Sequence, residues 1–102
     1  MNLQHEFKHM PPVVSKLMWA YHRVLAVHGW ELDPVRTGYN SFKLWNIAAE
    51  EYHFRWRRNT PDTIWVFDRY QQPRNCVAEL KSDIDVMRFV IAVRDGKKLK
   101  YP

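Results

Sequence analysis

The chain has 102 residues, of which 46% are hydrophobic and 26% charged, with a formal charge of +5 and a pI near 9.6. This length predicts one domain, and this apolar content excludes an intrinsically disordered chain. Cys76 is the only cysteine, so no internal disulfide can form, and apolar runs such as 89–93 fall far short of the ~20 residues needed to span a bilayer.

Residues 1–11 are mostly polar and end at Pro11, which predicts a flexible arm ahead of a single α+β domain over 12–102. Residues 1–10 lack the apolar stretch of a signal peptide, so the chain reads as cytoplasmic, with no membrane partner. Within the arm, His5-Glu6-Phe7-Lys8-His9 matches the zincin pattern, in which two histidines one helical turn apart hold zinc. The setting is unsuitable, because the motif runs at once into Met10-Pro11-Pro12, and a residue before proline is pushed out of the helical region. The reading assigns no metal and no cofactor.

Proline at 11 and 12 suits a first helical turn, and the positions Val14, Leu17, Met18, Tyr21, Val24, Leu25 and His28 recur at helical spacing. They predict a helix over 12–28, with Gly29 as its left-handed cap. Residues 30–40 carry Asp33-Pro34 and Gly38 and read as an irregular connection. Residues 42–47 read as a strand, although 44–52 also accommodates a helical turn or two.

Residues 52–58 alternate aromatic and basic side chains, Tyr-His-Phe-Arg-Trp-Arg-Arg. Successive strand side chains point to opposite faces of a sheet, so Tyr52, Phe54 and Trp56 turn one way and His53, Arg55 and Arg57 the other. A turn at 59–62, a strand over 63–70, a turn at 71–75 and a strand over 76–81 complete an antiparallel meander of three or four strands. For the end of the chain, Ser82-Asp83-Ile84-Asp85 caps a helix over 83–95 closed by Gly96. The competing pattern is a hairpin about Asp95-Gly96.

Pairing the strands symmetrically about their turns sets Arg57 opposite Thr63, Tyr70 opposite Cys76, and Leu80 beside Val66. One face then holds Tyr52, Phe54, Trp56, Ile64, Val66, Cys76, Ala78 and Leu80 and forms the core under the first helix, with a C-terminal helix on the same side. The other face holds His53, Arg55, Arg57, Trp65, Phe67, Arg69, Val77, Glu79 and Lys81. Aromatic area interleaved with arginine donors suits a protein hot spot, or the bases and phosphates of a single strand. An Arg55–Trp65 cation–π pair within the sheet explains part of the same pattern structurally.

No nucleophile signature surrounds Cys76, the acid pairs fall at a turn and at a helix start, and the three scattered glycines exclude a phosphate-cradling loop. The order of helix, meander and helix resembles, in layout alone, small bacterial and phage inhibitor and toxin-immunity proteins. The layout assigns no site; the small size, the single domain and the lack of catalytic motifs predict a non-enzymatic module of inhibitor or immunity type, and the alternation predicts that it binds a protein through the basic-aromatic face His53, Arg55, Arg57, Trp65, Phe67, Arg69 and Lys81. The alternative is single-stranded RNA or DNA on the same face. Neither the partner's identity nor the oligomeric state follows from the sequence.

Overall fold

The computed structural model describes residues 12–34, 41–57, 60–68 and 75–97. Helix α1 (Pro12–Ala20) continues through a π turn (Tyr21–Leu25) and a 3₁₀ turn (Ala26–His28) to Gly29, whose φ of 86° makes the expected left-handed cap. Five strands follow: β1 (Trp30–Pro34), β2 (Ser41–Asn46), β3 (Glu51–Arg57), β4 (Thr60–Asp68) and β5 (Cys76–Leu80). They pair antiparallel in sequence order, and helix α2 (Asp83–Arg94) closes the fold.

The meander thus has five strands rather than three or four. The added strand is β1, within the stretch read as irregular. Trp30 and Leu32 are buried there while Glu31 is exposed, a short alternation that pairs residue for residue with β2. The expected turn at 59–62 is also corrected, because β4 already begins at Thr60. Arg57 pairs with Thr60 instead of Thr63, and the ladder shifts between Arg55 and Arg57. Pro61 lacks an amide proton and cannot keep a regular ladder, so a bulge absorbs it.

The π turn changes the helical stripe. Its Ala26 N–H bonds to the Tyr21 carbonyl, five residues back, so the turn carries more residues than a regular one. Tyr21 and Leu25 stay buried, Val24 is only half-buried and His28 is exposed. The Tyr21 hydroxyl donates to the Trp30 carbonyl at 3.0 Å and so ties the helix to the first strand. Burial raises the Tyr21 phenol above its ordinary pKa, reinforced by the nearby Glu31 carboxylate.

At the far end of the chain the helix wins over the hairpin. The Asp85 N–H donates to Ser82 Oγ at 3.3 Å, and Asp85 Oδ2 accepts from the Lys81 N–H at 2.9 Å. At the other end Gly96 N–H reaches the Val93 carbonyl and Lys97 N–H the Ala92 carbonyl, with Gly96 at φ 70°. This is the paired 5→2 and 6→1 closure in which only a residue tolerant of positive φ sits comfortably.

Both helices lie on one side of the sheet. Val14, Leu17 and Leu25 from the first helical segment and Val86, Phe89 and Val90 from α2 cluster with Phe42, Leu44, Phe54, Trp56, Ile64, Val66 and Leu80. Phe89 meets Tyr52 and Phe54 edge-on at 5.6 and 5.4 Å between centroids, and Phe42 stacks on Trp56 at 5.3 Å. Such contacts add to the area each ring buries. No helix among the described residues is long and apolar enough to cross a membrane.

Candidate functional site: the outer face of the sheet

With both helices on the inner side, the outer face carries the alternate side chains of every strand. Register lines them up in rows. Asp33, Lys43, His53, Phe67 and Cys76 form one row, Ser41, Arg55, Trp65 and Glu79 the next, and Glu31, Trp45 and Glu51 a third.

The expected site residues His53, Arg55, Arg57, Trp65 and Phe67 share this face, and Lys81 joins them just beyond β5 through Glu79. Arg69 lies outside the described residues. Trp65 is half-buried, and its indole N–H donates to Glu79 Oε1 at 3.3 Å. Lys81 Nζ sits 3.4 Å from the other oxygen of that carboxylate. The cation over the Trp65 ring is Arg57, with Cζ 5.5 Å from the centroid, whereas Arg55 was the expected partner. Arg55 is Trp65's register partner and is exposed. His53 Nε2 meets Glu51 Oε2 at 2.8 Å. Phe67 is only 9% exposed, so its ring offers little area to a ligand.

The β4–β5 pairing differs from the expected one in two ways. Leu80 stands opposite Ile64 rather than Val66, a two-residue shift that leaves the faces unchanged. A second irregularity between Val66 and Phe67 then sets Cys76 opposite Phe67. The expected inner position of Cys76 is therefore corrected to the outer row, and Val77, expected outside, packs against the core. One extra residue in a bulge reverses which side the following side chains take. Burial pushes the Cys76 thiol up, and the thiol donates to the Ala78 carbonyl at 3.5 Å.

Besides Cys76, the rows bring to this face six residues that the alternation of the later strands does not reveal: Glu31, Asp33, Ser41, Lys43, Trp45 and Glu51. Trp45 repeats the Trp65 arrangement, since its indole N–H donates to Asp33 Oδ2 at 2.7 Å and Lys43 Nζ lies 5.9 Å from its ring centroid. The signal was present in the alternation Trp30-Glu31-Leu32-Asp33, outweighed by the turn residues that follow.

These additions change the electrostatics. Among the described residues of this face, Glu31, Asp33, Glu51 and Glu79 stand among Lys43, His53, Arg55, Arg57 and Lys81, so carboxylates and bases are interspersed there. Among the described residues no three His, Cys, Asp or Glu side chains gather as metal ligands, and the His5–His9 motif lies outside the described residues. No protein family, curated protein or solved structure matches the chain.

Proposed function

We propose that this chain is a non-enzymatic protein-binding module of the inhibitor or immunity type, working in the cytoplasm, that engages its partner with the outer face of the sheet. One observation carries the reading: two half-buried tryptophans, Trp45 and Trp65, are each held by a carboxylate from a neighbouring strand on a face with both charge signs. Tryptophan and arginine are the residue types that dominate protein interfaces, and anchors already fixed in place lose little entropy on binding. A mixed-charge surface suits a protein partner, where charge complementarity selects the match.

The same face is a poorer fit for single-stranded nucleic acid. Four carboxylates repel a phosphate backbone, and the buried Phe67 ring is not free to stack on a base. The test uses the full chain as bait in extract of its source cell, at near-physiological salt. A protein retained by the wild type and lost with Trp65→Ala supports the reading, and equal retention overturns it. Oligonucleotide binding that survives the same salt and disappears with Trp65→Ala would replace the protein reading with the nucleic-acid one.

A further inference from the structure

The β2–β3 hairpin ends in Asn46-Ile47-Ala48-Ala49-Glu50, and Ile47 at its tip is 100% exposed. A single exposed apolar side chain is ordinary on a protein surface. This one differs in how it is held. The Asn46 N–H donates to the Glu50 carbonyl at 3.2 Å, and the Ala49 N–H to the Asn46 carbonyl at 3.0 Å. The side chains repeat the closure: the Glu50 N–H donates to Asn46 Oδ1, and Asn46 Nδ2 donates to Glu50 Oε1, both at 3.0 Å. Four hydrogen bonds thus clasp a three-residue loop.

The loop also holds strain. Ala49 has φ 65°, the one non-glycine residue at positive φ among those described, at the position where such hairpin loops ordinarily use glycine. Ala48 and Ala49 are exposed and small, so nothing beside Ile47 shields it. A clasped, strained loop that lifts one β-branched apolar side chain into solvent is preorganised for insertion.

We infer that Ile47 is an insertion key that enters an apolar socket on the partner protein. This rests on the protein-binding reading and extends its surface, because β2 places Trp45 of the outer face two residues before the tip. Glu50 and Glu51 stand at the base of the loop, so the socket has a neutral or basic rim. The same two carboxylates disfavour an anionic bilayer or a phosphate backbone at the tip.

The experiment places the photocrosslinker p-benzoylphenylalanine separately at positions 47, 55 and 62 of the full chain in its source cell. Position 55 reports the outer face, and position 62 is an exposed control on β4. Adducts to the same protein from 47 and 55, absent from 62, support the inference. An adduct from 55 without one from 47 overturns the key and leaves the sheet-face reading standing. An adduct from 47 without one from 55 keeps the key and overturns that reading. No adduct at 47, or only a dimer of the chain itself, overturns the key. With the purified partner, Ile47→Asp is expected to weaken binding ~30-fold and Ile47→Val less than ~3-fold. Equal affinity of Ile47→Asp and wild type would overturn the key even if the crosslink forms.

Discussion

Trp65 and Trp19 sit among the same kinds of side chain and end in opposite electrostatic settings. Trp65 lies on β4 with Arg57 over its ring, and its N–H is held by Glu79 from the neighbouring strand. Trp19 lies on α1, 47% exposed, with Lys16 Nζ 4.1 Å and Arg23 Cζ 5.5 Å from its ring centroid. No Asp or Glu occurs between Pro12 and Trp30. A helix brings together residues three and four apart, so its surface charge is whatever the local sequence holds. A sheet joins residues distant in sequence, such as 65 and 79, and imports the compensating acid from elsewhere. Basic and aromatic residues in a strand are therefore a weaker indicator of an anionic ligand than the same residues along a helix.

The largest effect expected from probing this contrast lies beneath the sheet. Phe54 is fully buried behind the strand that carries His53 and Arg55, and Phe54→Ala should lower stability by about 4 kcal/mol in urea unfolding. Trp19→Ala removes a half-exposed ring and should cost under about 1 kcal/mol in the same assay. A similar cost for both would mean the helix surface is as structurally committed as the core.

Binding separates the two tryptophans next. Trp65→Ala should weaken partner affinity by about 2 kcal/mol and Trp19→Ala by less than about 0.5 kcal/mol, read by calorimetry with the captured partner. The reverse order would move the interface to the helix.

Alkaline pH tests both regions at once, because Tyr21 ties the helical segment to β1 and Tyr52 packs under the sheet. Burial holds both phenols above their ordinary pKa, with the Tyr52 shift reinforced by Asp68 and Glu50. Above the unfolded phenol value of about 10, the unfolded chain releases protons that the folded chain retains. The stabilisation is therefore complete below about pH 10 and is lost as pH rises toward the folded values. The urea midpoint should fall as the pH rises above about 10, and Tyr21→Phe or Tyr52→Phe should each flatten that fall. A midpoint independent of pH in both variants and the wild type would show that the phenols are solvated.

The smallest effects concern the cations on the two rings. Lys16→Ala and Arg57→Ala should each cost about 0.5 kcal/mol, and added salt should shrink both differences. A loss well above 1 kcal/mol for Arg57→Ala alone would show that the sheet-face cation is structural.

The parts legible in the sequence are those with a local signature. The first helix and its Gly29 cap follow from spacing over one turn, and α2 follows from Ser82, Asp85 and Gly96. The faces of β3 follow from simple alternation, so Phe54 and Trp56 are inside while Arg55 and Arg57 are outside. The strand β1 was missed because Asp33-Pro34 is a stronger turn signal than four alternating residues are a strand signal. Cys76 and Val77 were assigned to the wrong faces because a bulge leaves no mark in the residues it displaces.

The sequence by itself determined the α+β class, the first helix and the inner and outer sides of the central strand. Each depends on contacts within a few residues, where backbone geometry dictates the period. Tertiary structure alone decided which carboxylate holds Trp65, which cation covers it and that Glu31, Asp33 and Trp45 join the outer face. Those depend on register between distant strands, and the bulges that set register are a compromise of the whole sheet.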